Sequence, residues 1–573
     1  MSANKEDKSI QSLKLEKKLD EQLNINGNNN NVTKKSNKKK KKSAGAGAVS
    51  AVTDIPEYYH QALSDYPVQL NTTKAKGRHA VAAKNLPEGT ILCEEQGAAF
   101  VVRTPFIDAQ CHLCFSSIKQ RTVCPQCQKA YYCSSECFDS DSQRHALMCN
   151  GLKEIENIAQ ATDTDVDLLR LMVALMARRC LDKTKIDEES RKRRGLAPNT
   201  PFWCVEDLLS HRDKAEPAFI QVVSEASERL LSLLPPEMHI PVEEMVEIAC
   251  RINANAHGLG DEHGRNTDTA LGLFPIGALF FNHGCNPNTA FIGTSNGKLA
   301  FRTIRPVTGG EELVVSYDDI YADRDYRRAT LLSTKHFWCK CKRCASSMDK
   351  SVDRFLTGVV CTSCQKDVYI IPATSVEHLS KGVSNLYLES RFKCASCGHE
   401  TPAVKVRNAI EKAAEAYNTG LKMYRARNRD LGLVSTFFSS LVNNTVPKGG
   451  KLHPMNSIRL NAHSNLMNCK RGCNDLKGAI DVNKSNCEMF EQFATLYNLP
   501  GNTSEISDMW QNLAEMCEEM AEKTEASTVL RKKWLKEAAK AYERTLKIRE
   551  VVFGKDHSKT KDTAKLLAKF STF

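Results

Sequence analysis

Apolar positions along the chain predict two long helical regions. In residues 151–250, apolar side chains keep to one face of a helical pattern, as from Leu168 to Leu175. From about residue 405 onward, small and large apolar residues recur at helix spacing, as from Ala538 to Ile548. Repeated helices of this kind are typical of a tetratricopeptide-like array, and a plain helical bundle is the alternative.

Shorter stretches predict strands in the middle of the chain. Gly77 to Ala82 predicts a strand after a glycine turn, and Leu86 to Leu92 predicts a turn followed by a strand. Val368 to Pro372 and Phe392–Lys393 predict two more short strands. The pattern as a whole indicates an α+β protein of several domains, which 573 residues are long enough to hold.

Composition changes this picture only at the start of the chain. Apolar residues make up 41% and charged residues 26%, which is ordinary for soluble proteins, and no apolar run is long enough to span a membrane. The net charge of +12 is concentrated in residues 1–50, where twelve lysines face five acidic residues. We therefore expect no membrane contact and no nucleic-acid binding by the folded body.

Residues 1–50 combine lysine runs with small and polar residues, a composition that buries too little apolar surface to fold. We expect a disordered basic tail. The run Lys34 to Lys42 is typical of a nuclear import signal or a nucleic-acid contact, and a merely solvated tail is the alternative. We expect the protein in both the nucleus and the cytoplasm.

Seven cysteines and one histidine in one short stretch have the spacing of zinc ligands. Ligand pairs separated by two or three residues can meet one ion, and eight ligands suit two ions. So many ligands in 39 residues leave little room for a hydrophobic core, so metal must hold this fold. The ligands are Cys111, Cys114, Cys124, Cys127, Cys133, Cys137, His145 and Cys149.

The alternative for these cysteines is a disulfide framework. We expect zinc instead, because the first residues carry no signal-peptide pattern and other cysteines stand outside any pairing pattern. Two further pairs, Cys361-x2-Cys364 and Cys394-x2-Cys397, predict a zinc site of ribbon type. Four reduced structural cysteines are the alternative there.

Parts of the sequence resemble known modules. The cysteine spacing together with Ala130 to Cys133 resembles a MYND finger, a protein-interaction module. The box Phe281 to Asn288, followed by Gly310 to Asp318 and by the cysteines of Cys339 to Cys344, resembles the SET domain of protein lysine methyltransferases. Because the finger is inserted between two SET halves, the chain resembles the SMYD family.

This resemblance implies an S-adenosylmethionine-dependent protein-lysine N-methyltransferase that acts on histone or non-histone proteins. Tyr317 matches the catalytic tyrosine, whose hydroxyl lies near the transferred methyl group. A further zinc site is implied that joins Cys285 to the post-SET residues Cys339, Cys341 and Cys344, so that about four zinc ions are expected in all. The residues that match cofactor contacts of the family are Lys76, Arg78, Asn255, Asn282, His283, Tyr317 and Phe337.

These matches have ordinary structural alternatives. Tyr317 can be a half-buried strand residue, and Asn255 can be a turn or capping residue. His283 and Phe337 can be core residues.

Three positions depart from the family pattern. His79 stands where a glycine is usual, and Gly284 where a serine is usual. Lys335 stands where the family often has a tyrosine that walls the lysine channel. A lysine there brings a like charge towards the incoming ammonium, helps to deprotonate it, or turns outward. The alternative function is therefore a catalytically weak or inactive SET-MYND scaffold that recruits transcriptional regulators.

The finger is expected to bind proline-rich peptides or co-regulator proteins, as MYND fingers often do. The expected domains are a disordered tail (1–50), the first SET part (51–105), the MYND finger (106–150), a helical SET insert (151–250), the SET core (251–335), the post-SET zinc site (336–346), a zinc ribbon (347–404) and a helical TPR-like C-terminal domain (405–573).

Overall fold

The computed structural model describes residues 54–184, 191–192, 194–260, 268–524 and 528–570. The basic tail predicted for residues 1–50 lies outside these ranges. Among the helices of the described residues, none has the length and apolar character needed to cross a membrane.

Two three-stranded antiparallel sheets form the centre of the split domain. The first joins Thr289–Gly293, Lys298–Thr303 and Ile91–Gln96, in that order. The second joins Ala99–Val102, Asp268–Leu273 and His257–Gly260, in that order. Each sheet therefore combines a strand before the finger with strands after the helical insert, so the two halves of the domain close into one unit.

Four two-stranded pairs accompany these sheets within the described ranges. Gly77–Ala82 is a strand, as predicted, and Gly77 at its start has a φ of +68°, which favours glycine. The antiparallel pairs are Val68–Thr73 with Gly77–Ala82, Thr122–Val123 with Tyr131–Tyr132, and Arg391–Lys393 with Glu400–Pro402. The parallel pair is Asn282–His283 with Val314–Val315.

Helices fill both regions in which the apolar pattern predicts them. Those up to the post-SET segment are Glu57–Ala62, Ser135–Thr162, Val166–Leu181, Trp203–Glu206, Pro217–Leu231, Val242–Asn255, Pro275–Phe280, Arg324–Thr334 and Lys342–Ala345. Those that follow are Asp353–Leu356, Val376–Leu379, Asn385–Leu388, Ala403–Arg425, Leu431–Val442, Ser457–Gly472, Leu476–Tyr497, Ser504–Lys523, Thr528–Val552 and Ser558–Ala568.

The helix Ser135–Thr162 spans one predicted domain boundary. It begins inside the finger, where the Ser134 hydroxyl accepts a hydrogen bond from the amide of Cys137, and it continues into the helical insert without a break. The boundary predicted at residue 150 therefore falls within a helix. Finger and insert share this helix, because its first half carries metal ligands and its second half packs in the main core.

The helix Val166–Leu181 lies at the centre of the main core. Leu169, Leu171 and Leu175 are completely buried, and the side chains between them are nearly so. Asp165 begins this helix by accepting a hydrogen bond from the amide of Leu168. Burial on every side follows from its position between the second sheet and the neighbouring helices Ser135–Thr162 and Val242–Asn255.

The C-terminal helices form a lobe in which each helix packs against the next one along the chain, from Ala403–Arg425 to Ser558–Ala568. This order of packing is typical of helical arrays. The lobe lies against the first sheet of the split domain, where the side chains of Ile292 and Ile304 share an apolar cluster with Ile548. The lobe is thereby fixed beside the SET half of the molecule.

Candidate functional site

The eight predicted ligands of the finger form two interleaved clusters. The first ligand pair along the chain shares a cluster with the third pair, and the second shares one with the fourth. The clusters are Cys111, Cys114, Cys133 and Cys137, and Cys124, Cys127, His145 and Cys149.

Two tight turns and one helix bring these ligands together. The amides of Phe115 and Gln128 bond back to the carbonyls of Cys111 and Cys124, at 2.9 and 3.0 Å, and both residues have positive φ. Each turn thus presents two thiols to the same point. The helix Ser135–Thr162 carries three further ligands along its first half.

The separations between ligand atoms suit a tetrahedral metal site. In each cluster all four ligand atoms lie within 4.8 Å of one another. Zinc–sulfur bonds of about 2.3 Å place two sulfurs of a tetrahedron about 3.8 Å apart. The Sγ atoms of Cys114 and Cys133 are 3.6 Å apart, and those of Cys124 and Cys149 are 3.8 Å apart.

Little apolar packing supports the finger. Its buried residues other than cysteines are few, and Tyr132 is the largest of them. The Tyr132 hydroxyl donates to a carboxylate oxygen of Asp141 at 2.8 Å, and that carboxylate pairs with Arg144 at 2.6 Å. This buried group links the strand Tyr131–Tyr132 to the helix that carries three ligands.

The post-SET cluster forms across a long stretch of chain. Cys285 lies with Cys339, Cys341 and Cys344, and its Sγ is 3.8 Å from that of Cys339 and 3.5 Å from that of Cys344. These separations again suit a tetrahedral site. The cluster ties the post-SET segment to the strand region that contains His283.

A buried ion network surrounds this cluster. Asp353 has no exposed surface and accepts hydrogen bonds from Arg324, Arg327 and Arg343 at 2.8 to 3.0 Å. Burial alone favours the neutral acid, but the three guanidinium groups lower the pKa of Asp353 to about 2. Arg343 also donates to the carbonyl of Cys285 at 2.7 Å, so the network holds the chain around the cluster.

The fourth cluster lies between the post-SET segment and the helical lobe. It contains Cys361, Cys364, Cys394 and Cys397, with Sγ distances of 3.7 Å from Cys361 to Cys397 and from Cys364 to Cys394. The strand predicted for Val368 to Pro372 is reduced to isolated bridges of one residue each, because the two turns that carry the cysteine pairs leave little length for strand pairing.

The parallel pairing of Asn282–His283 with Val314–Val315 brings the two predicted SET boxes together. The amide of Tyr317 donates to Nδ1 of His283 at 3.1 Å, and the two rings are 5.3 Å apart. The Tyr317 hydroxyl donates to the carbonyl of Phe281 at 3.1 Å. Burial raises the pKa of Tyr317, so its hydroxyl stays protonated at neutral pH.

Asn282 connects the loop before the strand Gly77–Ala82 to this pair. Its side-chain amide donates to the carbonyls of Lys76 at 3.3 Å and of Arg78 at 3.1 Å. The Lys76 ammonium pairs with Glu312 at 2.6 Å. Residues that are more than 200 positions apart in sequence thus meet at one end of the SET sheets.

The remaining predicted cofactor residues lie around the same point. The ring of Phe337 is 6.0 Å from that of His283. Asn255 and Arg78 are both held by one segment of the helical insert. The side chain of Asn255 donates to the carbonyl of Leu209 at 2.8 Å. The side chain of Arg78 donates to the carbonyl of Asp207 at 2.6 Å.

The three departures from the family pattern have distinct structural outcomes. The ring of His79 is buried and turns back to the carbonyl of Gly77, at 3.0 Å. A side chain at position 284 would meet Val314 at 2.8 Å from its Cβ, so glycine fits there and serine does not. Lys335 turns inward, with its Nζ 2.7 Å from the carbonyl of Ala254, which excludes the outward alternative.

Two carboxylates of this region were missed by sequence reasoning. Asp207 accepts a hydrogen bond from Tyr59 at 2.7 Å and fixes the insert segment beside Arg78. Asp353 organises the post-SET arginines. No spacing or motif distinguishes these residues from other acids, because their partners lie on separate elements that meet only in the folded chain.

The comparisons with known proteins agree with this geometry. Residues 77–318 match the family described as SET domain. "Histone-lysine N-methyltransferase ASHR1" of Arabidopsis thaliana is 23% identical over 284 residues, which cover 50% of this chain and 56% of that protein. "N-lysine methyltransferase SMYD2" of Bos taurus is 26% identical over 273 residues, which cover 47% and 58%.

A third relative is "Histone-lysine N-methyltransferase Smyd1" of Mus musculus, 24% identical over 294 residues that cover 49% of this chain and 56% of that protein. The chain spans a little over half the length of the curated relatives it matches. The residues matched by the SET domain family, 77–318, lie before the helical lobe.

Proposed function

We propose that this chain, a SET-domain protein of the SMYD type, is an S-adenosylmethionine-dependent protein-lysine N-methyltransferase. The observation that carries the proposal is the parallel strand pair, which sets the Tyr317 hydroxyl and the Phe281 carbonyl beside the loop of Lys76 and Arg78. The relatives are named as histone-lysine and N-lysine methyltransferases, which supports protein lysines as substrates.

The residues present suit S-adenosylmethionine. When bound, this cofactor supplies an electrophilic methyl group on a sulfonium. Asn282 orients the carbonyls of the loop at Lys76 and Arg78, and the Phe337 ring offers a flat apolar surface for an adenine. The Tyr317 hydroxyl and the Phe281 carbonyl can align the acceptor amine, so catalysis rests on orientation and on exclusion of water.

We also infer that the four clusters hold about four zinc ions, because each offers four thiolate or imidazole ligands at tetrahedral separations. At the post-SET cluster the surrounding charges support this assignment. A divalent ion with four thiolates carries two negative charges, and three arginines around Asp353 supply two positive charges in excess. Metal analysis of the purified, chelator-washed chain tests the count, and two ions or fewer would contradict it.

Calorimetric titration with S-adenosylmethionine, followed by transfer of labelled methyl groups to core histones and a heat-treated protein extract, tests the activity. Tyr317→Phe should keep cofactor binding and lose most of the transfer, because the hydroxyl acts at the reacting centre. Tyr321→Phe is the matched control, since its hydroxyl contacts the carbonyl of Pro500 in the helical lobe. Absence of both binding and transfer in the wild type contradicts the proposal.

A second candidate function is a catalytically weak or inactive scaffold. This second function is favoured by the amine of Lys335, which lies where the family often has a tyrosine that walls the lysine channel. In both cases the finger serves as a protein-binding module for proline-rich peptides or co-regulators. Pull-down with a proline-rich peptide, wild type against a finger variant, tests that role.

Residence in both the nucleus and the cytoplasm is proposed on the run Lys34 to Lys42. Changing Lys38 to Lys42 into alanines should move the protein towards the cytoplasm in imaged cells. An unchanged distribution would leave this stretch as a merely basic tail.

A further inference from the structure

Lys335 occupies an unusual position for a lysine. It follows the last turn of the helix Arg324–Thr334, and its side chain points into the molecule rather than to solvent. The Nζ donates to the carbonyl of Ala254 at 2.7 Å and lies 5.8 Å from the centre of the Tyr317 ring. The amine is therefore between the proposed catalytic tyrosine and the residue next to Asn255.

The surroundings of Lys335 favour its neutral form more than water does, so that a substantial fraction of the amine is neutral near pH 8. Within the described ranges no carboxylate forms an ion pair with it, and burial lowers the pKa of Lys335 to about 8. The titratable groups that face it are Tyr317, His257, His211 and His336, whose pKa values burial shifts towards their neutral forms. None of these groups supplies a negative charge at neutral pH.

A substrate lysine must lose a proton before its nitrogen can accept a methyl group, since the ammonium has no free electron pair. In water the pKa of a lysine side chain is about 10.4, so nearly every substrate lysine arrives protonated at pH 7 to 8. A second amine beside the acceptor can take up that proton when the site also removes the substrate ammonium from water, because desolvation lowers the pKa of the substrate amine as it does that of the second amine.

We propose that the neutral amine of Lys335, held by the Ala254 carbonyl beside Tyr317, takes up the proton that the substrate ammonium loses before methyl transfer. This inference rests on the proposed methyltransferase function. It makes Lys335 a proton acceptor that touches the substrate amine, in place of a residue that merely repels it.

The step is balanced in atoms and charge. The substrate ammonium gives a proton to Lys335, which becomes an ammonium, and the freed electron pair of the substrate nitrogen forms the new N–C bond. The C–S bond of the sulfonium breaks and leaves its electron pair on sulfur. Lys335 then releases the proton to solvent, so each cycle yields a methylated ammonium, S-adenosylhomocysteine and one proton.

The test compares the wild type with Lys335→Met and Lys335→Arg in the full-length, metal-loaded chain. The rate of labelled methyl transfer to the histone and extract mixture is measured from pH 6.5 to 10 at saturating S-adenosylmethionine. Lys214→Met is the matched control, because Lys214 is exposed and lies near the same histidines without entering the site. Melting temperature and metal content confirm that each variant is folded.

We expect the wild-type rate to rise and level off near pH 8, and the control to behave in the same way. Lys335→Met should be slower by about 100-fold at pH 7.5, within the usual range for a lost proton acceptor, and should gain rate up to pH 10 as the substrate deprotonates by itself. Lys335→Arg should be slow at every pH, because a guanidinium does not release its proton.

Mass spectrometry of Lys335 after incubation with S-adenosylmethionine provides a readout that does not depend on a substrate. The proposal expects Lys335 to remain unmodified, and its methylation would overturn the proposal by making Lys335 an acceptor of methyl groups. A Lys335→Met rate and pH profile equal to those of the wild type would overturn this inference alone. A wild type that transfers no methyl group overturns the proposed function, and this inference with it.

Discussion

The finger and the post-SET cluster use nearly the same ligands but differ in what surrounds them. The finger gathers eight ligands within 39 residues and has few other buried groups. The post-SET cluster takes Cys285 from a distant strand region and is enclosed by three buried arginines and Asp353. One site therefore depends mainly on its metal, and the other depends on metal and on protein charges together.

This difference shows how far local spacing can encode a metal site. In the finger, ligand pairs and turns are neighbours in sequence, so the metal can organise a chain that has little core of its own. At the post-SET cluster, Cys285 joins three cysteines that lie more than 50 residues later in the chain, and it lies just after the strand Asn282–His283, which pairs with Val314–Val315. We expect substitutions at the two sites to act on different parts of the molecule.

The largest expected effect is the loss of the finger in Cys124→Ser. Removal of one ligand should release the metal of that cluster and unfold the finger locally, while the post-SET cluster and the helical lobe remain folded. Metal analysis and limited proteolysis measure this outcome. Cys473→Ser is the control, because Cys473 is exposed and lies outside the four clusters. It should change neither the metal content nor the proteolysis pattern.

If Cys124→Ser instead lowered the stability of the whole molecule in one cooperative transition, the finger would be an integral part of the SET core. The contrast between the two regions would then be wrong.

The next effect concerns the charges of the post-SET region. Asp353→Asn leaves three buried guanidinium groups without their carboxylate, which should destabilise the SET and post-SET region by about 3 to 5 kcal/mol. Urea denaturation followed by tryptophan fluorescence measures the change. Asp349→Asn, an exposed residue four positions earlier, is the control and should shift stability by less than about 0.5 kcal/mol.

A loss as small as that of the control would show that the arginines hold the cluster without Asp353. The two metal regions would then be supported in the same way.

The smallest effect tests a buried polar link inside the finger. Tyr132→Phe removes the hydroxyl that donates to Asp141 and should cost about 1.5 to 3 kcal/mol in the stability of the finger. Tyr131→Phe is the control, because that hydroxyl bonds to the carbonyl of Gln128 at an exposed position and should cost far less. Hydrogen exchange at the finger amides compares the two variants. Equal protection in both would mean that metal alone sets the stability of the finger.

Much of the architecture could be predicted from the sequence. The α+β fold class and the cysteine-rich clusters are confirmed by the structure, and residues 77–318 match the SET domain, as predicted. These features depend on spacing and periodicity, which are local properties of the chain. The roles of Tyr317 and of the predicted cofactor residues stay predictions, although the structure brings them to one place.

Other features could not be read from the sequence. The spacing left open which finger ligands share an ion, because every pair has a similar local geometry. The domain boundary predicted at residue 150 falls inside the helix Ser135–Thr162, which serves two regions at once. Asp207 carries no signal in sequence, because its partners Tyr59 and Arg78 lie more than 100 residues away.

The sequence by itself determined which residues can bind metal, which two regions are mainly helical, and which boxes resemble a SET domain, because each of these follows from neighbours along the chain. Only the tertiary structure decided that the finger clusters interleave, that Asp353 gathers three arginines around the post-SET cysteines, and that Lys335 turns inward beside Tyr317. The direction and the charge environment of a buried side chain depend on elements that meet through folding, and no local pattern records them.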